Sequence, residues 1–122
     1  MTQRVFVTGA TGYLGSAIAA RLVRAGHEVR GLARSAERAS ALEAMGVQAT
    51  IGELGQPDGF ISELKNCDAV VHAALDDRGP AGPDQAALEA IRDAAQDGRV
   101  RRLLYTSGVW VHGDTGGAVV DE

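Results

Sequence analysis

The sequence predicts an α/β fold, a doubly wound parallel sheet with strand order 3-2-1-4-5. Three observations carry that prediction. Short apolar runs alternate with stretches of helical period along the chain. The runs are nearly continuous in apolar residues, as in strands covered on both faces. Three glycines, Gly9, Gly12 and Gly15, punctuate the passage from the first run into the first helical stretch.

Each element has its own local reason. Residues 4–8 read as the first strand. The first helix is expected over about 13–25, where Leu14, Ile18, Ala19, Leu22 and Val23 share a face. Gly26 then stands in the C′ position and stops it. The second strand covers about 28–33. Ser35 offers an N-cap to a helix with Ala39, Leu42 and Met45 as its core stripe, and Gly46 repeats the stop. The third strand covers about 47–51. After the loop Gly52–Pro57, a short helix from Asp58 to Asn66 buries Phe60, Ile61 and Leu64. The fourth strand runs from Asp68 to Ala74. The segment from Asp76 to Pro83 holds two prolines and two glycines and reads as an irregular loop. The next helix is expected over about 84–97, facing the core with Ala87, Leu88, Ile91, Ala94 and Ala95, and ending at Gly98. The fifth strand covers about 101–106, and residues 107–122 show no helical period. Right-handed crossovers arrange these strands in the stated order, within one domain spanning 1–122.

Composition narrows the function classes. A net charge of −4 argues against a nucleic-acid partner. The basic cluster Arg99-Val100-Arg101-Arg102 reads as a solvated loop before a strand. Cys67 is the single cysteine, so neither an intramolecular disulfide nor a zinc pattern is available, which fits a reducing compartment. It reads as a small, partly buried apolar residue. No signal peptide and no apolar run of roughly 18 residues is visible, so the expected setting is cytoplasmic, without a membrane. His27, His72 and His112 form no metal-binding constellation, and His72 reads as a core or hydrogen-bonded histidine.

The glycine turn carries the chemistry. The strand order reverses beside the first strand, and ligands of open α/β sheets bind at that switch point. Gly9 lets the chain turn sharply, Gly12 lets a diphosphate approach the main chain, and Gly15 lets the helix sit close against the sheet. The first turn of the helix has free N–H groups and a partial positive charge, which suit phosphate. The end of the second strand discriminates between dinucleotides. A carboxylate there accepts hydrogen bonds from the ribose of NAD. This sequence has Ala33-Arg34-Ser35, with no Asp or Glu between Gly31 and Ala36. Arg34 can grip a 2′-phosphate through two N–H groups and Ser35 can donate to it, so NADP is favoured, with NAD the alternative. Arg38 is read as a helper there or as a solvated helix residue.

The stretch Thr8-Gly9-Ala10-Thr11-Gly12-Tyr13-Leu14-Gly15 resembles the nucleotide-binding signature of the short-chain dehydrogenase/reductase superfamily. It looks most like the extended branch, the NAD(P)-dependent epimerase/dehydratase family. His72-Ala73-Ala74 and Tyr105-Thr106-Ser107-Gly108 fall where that family keeps a small-residue motif and a hydroxyl-bearing segment. The resemblance covers this whole chain and the N-terminal part of the family's length. It implies a Rossmann-type sheet truncated after the fifth strand, with the catalytic helix and substrate domain beyond residue 122.

It also implies a cofactor site. Gly9, Thr11, Gly12, Tyr13, Leu14 and Gly15 lie at the diphosphate. Glu53 is either the acid that meets the adenine amino group or an exposed loop acid, with Leu54 beside the ring. Ala73, Ala74 and Leu75 line the ribose and diphosphate, and Thr106 lies beside the cofactor. In the family, a Tyr-x-x-x-Lys pair with a Ser or Thr performs acid–base chemistry at the nicotinamide. Here Tyr13 is followed four places on by Ala17 and Tyr105 by Val109, and the only lysine is Lys65, so the pair is absent from these residues. Ser107 is the candidate helper hydroxyl. If His112-Gly113 replaces the family's Tyr-Gly, Gly108 falls there instead. Trp110 walls a substrate pocket or packs in the core.

Three functions follow: the cofactor part of an NADP-dependent oxidoreductase or epimerase acting on a small molecule, a non-catalytic NADP-binding regulator, or an interaction module. Without the family's next helix, the face of strands four and five is expected to be bare, with self-association through it or marginal stability.

Overall fold

The computed structural model describes residues 2–74 and 82–106. The elements are β1 (Arg4–Thr8), α1 (Tyr13–Arg24), β2 (Glu28–Ala33), α2 (Ala36–Ala44), β3 (Gln48–Ile51), α3 (Ile61–Lys65), β4 (Ala69–His72), α4 (Gly82–Asp97) and β5 (Arg102–Tyr105). The strands form one sheet in the order β3-β2-β1-β4-β5, with all four pairings parallel. In register, Val7 stands beside Gly31 and Val71, and His72 stands between Thr8 and Tyr105.

Successive strand residues point to opposite faces, so a strand covered on both sides must be apolar at every position. Val5, Phe6 and Val7 of β1 are all buried. Phe6, Leu32 and Val70 pack with Phe60 and Leu64 and with Ile91 of α4 on one face. Val5, Val7, Val29 and Val71 pack with Ala19 of α1 and Ala39 and Leu42 of α2 on the other. The first two helices close identically. Gly26 and Gly46 have φ of +92° and +88°, and the residue after each donates to the carbonyl of Leu22 or Leu42, satisfying the last turn.

Several boundaries differ from expectation. The helix expected over 58–66 divides into a 3₁₀ turn, Pro57–Gly59, and α3. Phe60 lies between them at φ −139°, outside helical geometry, and its ring stacks on Phe6 with centroids 5.7 Å apart. Core packing of the ring thus overrides the local helical pattern. Within the described residues helix α4 runs from Gly82, and Pro83 falls in its first turn, where its missing N–H is not needed. Strand β4 stops at His72, because the Ala74 N–H turns to the Thr8 hydroxyl, 3.2 Å away, instead of to a neighbouring strand.

The bare face is narrower than expected. Leu103, Leu104 and Tyr105 of β5 are 46%, 60% and 46% exposed, but Val70 and Val71 of β4 stay buried. Arg99 is not merely solvated: it pairs with Asp68 at 3.2 Å. The Arg4 N–H, which donates to the same carboxylate at 2.9 Å, and in second place that guanidinium hold Asp68 below the ordinary carboxylate range. Among the described residues, no helix is long and apolar enough to cross a membrane.

Candidate functional site

The site is built at the carboxyl ends of β1, β2, β3 and β4. Gly9 leaves β1 with φ +71°, a left-handed conformation that a side chain would strain. A Cβ there would also stand 2.6 Å from the Ala74 nitrogen. Gly15 is equally constrained for a different reason: a Cβ on it would overlap the Gly9 carbonyl. Gly15 therefore lets α1 pack on the glycine turn itself, which sharpens the expectation of packing on the sheet. Gly12 is the N-cap of α1 and has no capping side chain, and its N–H donates to Gly9 O at 3.0 Å. The first i→i−4 bond comes from Ser16. The N–H groups of Tyr13, Leu14 and Gly15 precede it and point out of the helix, and the first turn holds no acidic residue.

These groups open on a cleft of about 320 Å³, within the size range of small-molecule sites. Gly9, Thr11, Gly12, Tyr13, Leu14 and Gly15 form one wall, Ala73 and Ala74 another, and Leu32 and Leu54 contribute apolar surface. Arg34 and Arg38 bring two positive charges and Glu53 one negative charge. Tyr13 is 97% exposed, so its ring is free to meet a ligand.

Of the residues expected from the sequence, the cleft gathers all of the glycine turn, Arg34, Glu53, Leu54, Ala73 and Ala74. It does not gather Ser35 or Thr106. The Ser35 Oγ accepts from the Arg38 N–H at 3.2 Å and caps α2. Thr106 is exposed beyond β5, and its N–H donates to His72 O at 3.1 Å. Leu75 and Ser107 lie outside the described residues, as do Gly108, Trp110 and His112. Arg38, read from the sequence as a helper at the phosphate or a solvated helix residue, lines the cleft. The signal was the cap: with Ser35 fixing where α2 starts, Arg38 falls in its first turn, beside Arg34.

A larger cleft of about 510 Å³ lies at the opposite ends of the strands, around Arg4, Glu28, Arg30 and Gln48. Its charged groups already serve one another. Arg4 pairs with Glu28 at 2.9 Å and Arg30 donates to Gln48 at 2.7 Å. Cys67 beside it is buried, donates to Glu63 O at 3.3 Å, and is pushed up to about 11 by burial, so it is no nucleophile.

Residues 9–121 match a protein family described as NAD(P)H-binding. The chain belongs to this NAD(P)H-binding family. A 4-hydroxy-2-methyl-3-oxo-4-farnesyl-3,4-dihydroquinoline-1-oxide ketoreductase of Stigmatella aurantiaca is 34% identical over 111 residues, covering 86% of this chain and 33% of the relative. A 2-alkyl-3-oxoalkanoate reductase of Shewanella oneidensis is 37% identical over 111 residues, again 86% of this chain but 28% of the relative. The structure of yeast methylglyoxal/isovaleraldehyde reductase Gre2 complexed with NADPH superposes with a TM-score of 0.70 at 25% identity, over 86% of this chain and 37% of that one. The NAD(P)H-binding chain thus spans about a third of the length of these proteins. It is of the extended short-chain dehydrogenase/reductase type, as the stretch from Thr8 to Gly15 resembles, and its sheet is a Rossmann-type fold. It is an NAD(P)-binding domain of the kind found in reductases and epimerases.

Proposed function

We propose that this chain is the NADP(H)-binding part of an oxidoreductase or epimerase, in which hydride passes between the nicotinamide and a small-molecule substrate. The observation that carries the choice of NADP is the rim of the cleft. Arg34 and Arg38 both line it, and Glu53, at the end of β3, is the one carboxylate among the described lining residues. Two guanidiniums attract a 2′-phosphate, and a carboxylate at the end of β2 would have repelled it.

The remaining residues fit the rest of the dinucleotide. The diphosphate lies over the backbone of Gly9 to Gly12 and the N–H groups of Tyr13, Leu14 and Gly15. Glu53 accepts from the adenine amino group, with Leu54 beside the ring. Ala73 and Ala74 leave room for the ribose. NADPH supplies the hydride, and these residues bind it, orient it and set its phosphate selectivity.

Calorimetric titration of the chain with NADPH and NADH tests the proposal. NADPH is expected to bind more tightly. Replacing Arg34 with Ala should cost about 10- to 100-fold in NADPH affinity, the value of a charge-assisted pair, and leave NADH nearly unchanged. Equal losses for both nucleotides would reject the phosphate role. Binding of neither nucleotide at millimolar concentration would remove the cofactor proposal altogether.

A further inference from the structure

Beside the cleft, at the same ends of the strands, four side chains from four elements form one hydrogen-bonded line. Thr8 ends β1, His72 ends β4, Asp84 stands in the first turn of α4, and Tyr105 ends β5. The Thr8 Oγ1 lies 2.7 Å from His72 Nδ1, and His72 Nε2 lies 2.6 Å from Asp84 Oδ1. The Tyr105 hydroxyl donates to Asp84 Oδ2 at 3.2 Å. At the other end, the Ala74 N–H donates to Thr8 Oγ1 at 3.2 Å. Thr8 and His72 are each 1% exposed, so water does not replace a lost partner.

For a neutral His72 ring the donors and acceptors fit together in one way. An Asp84 carboxylate only accepts, so the hydrogen sits on His72 Nε2. His72 Nδ1 is then an acceptor and takes the Thr8 hydroxyl hydrogen. The Thr8 oxygen keeps its lone pairs for the Ala74 N–H. A hydrogen on Nδ1 would leave the Thr8 hydroxyl hydrogen without its acceptor. The network therefore assigns the Nε2–H tautomer.

The end of the line matters because of where Ala74 lies. Ala73 and Ala74 form a wall of the cleft, and their backbone approaches the turn so closely that a Cβ on Gly9 would meet it. We propose that His72 is a positioning residue for the dinucleotide. Through Thr8, the His72–Asp84 pair holds the Ala73–Ala74 backbone against Gly9 and so sets the affinity of the cleft. His72 acts through other groups and touches no ligand. This inference rests on the cleft being the dinucleotide site proposed above.

The test uses the 122-residue chain, with ¹⁵N imidazole and amide spectra of the free protein beside NADPH calorimetry. Wild type should show the Nε2–H signature at His72 and a slowly exchanging Ala74 amide. Asp84 is partly exposed, so Asp84→Ala leaves the core in place while removing the acceptor from Nε2–H. It should populate the other tautomer, speed Ala74 exchange, and weaken NADPH about five- to tenfold, the worth of one lost hydrogen bond. Asp84→Asn keeps an acceptor and should stay near wild type. His72→Asn places an amide oxygen near the position of Nδ1 and should retain more affinity than His72→Phe, which offers Thr8 nothing. A wild-type chain that binds neither nucleotide overturns the reading of the cleft and the role of His72 with it. A wild-type chain that binds, with folded Asp84→Ala and His72→Phe variants binding equally well, overturns the positioning role alone. An Nδ1–H signature in wild type also overturns it.

Discussion

Gly15 leaves no room for a side chain: even a single Cβ would overlap the Gly9 carbonyl. Gly15→Ala should therefore push α1 off the turn. The expected loss is about 1–3 kcal/mol, the usual cost of overpacking, read from the urea midpoint, together with weaker nucleotide binding. An unchanged midpoint would show that the turn yields freely. Cys67 illustrates the opposite situation, a reactive group made inert by its surroundings. Burial raises its thiol from 9.0 to about 11. At pH 8 the native thiolate fraction is about 100-fold below that of the unfolded chain, so iodoacetamide should alkylate the native protein correspondingly slowly. A raised thiol means that the native state holds this proton more tightly. Its contribution to stability is complete below pH 9 and is lost as the pH rises to about 11. Cys67→Ala should flatten that alkaline limb in urea unfolding. Equal alkylation rates before and after unfolding would contradict the burial. The small or apolar character of both residues was readable from type and neighbours. The overlap at Gly15 was not, because its partner is a carbonyl in the turn, placed only when the helix folds back.

Among the elements, α2 shows one residue open to two roles. Ser35 offered both an N-cap and a hydroxyl for a phosphate, and its oxygen is found accepting from the Arg38 N–H. Ser35→Ala should thus cost about 1 kcal/mol of stability, the worth of a cap, while NADPH affinity falls far less than with Arg34→Ala. Chemical denaturation and calorimetry on the same variant separate the two roles. A large loss of NADPH affinity with unchanged stability would return Ser35 to the phosphate. The glycine stops at Gly26 and Gly46 were legible because a left-handed residue after a helical stripe is a demand made by the adjacent backbone alone. The split at Phe60 was not legible. Residues 58–66 carry a helical pattern, and the break coincides with packing of the Phe60 ring on Phe6, 54 residues earlier in the chain, and in the core around it.

For the molecule as a whole, the apolar edge at β5 is the consequential surface. Leu104 is 60% exposed on a strand with a single described neighbour, β4. Exposed apolar edges favour pairing between chains, so the sedimentation coefficient of this chain should rise with concentration, and Leu104→Lys should suppress that rise. A constant coefficient in wild type would mean that the edge is inert. The sequence by itself determined the strand order, the glycine turn at the switch point and most of the cleft. These depend on hydrophobic period and on backbone demands made over a few residues, both of which are written locally. The Ser35 cap was legible too, but the tertiary structure alone decided that Arg34 and Arg38 share the rim of one cleft and that Thr8, His72 and Asp84 form one line. Thr8 and His72 are 64 residues apart, and they meet because β1 and β4 pair in parallel with those two residues in register. Pairing of that kind is fixed by packing across the sheet and leaves no local pattern to read. Gly9, Gly12 and Gly15 thus mark the turn from the sequence alone, but what stands around it came only with the fold.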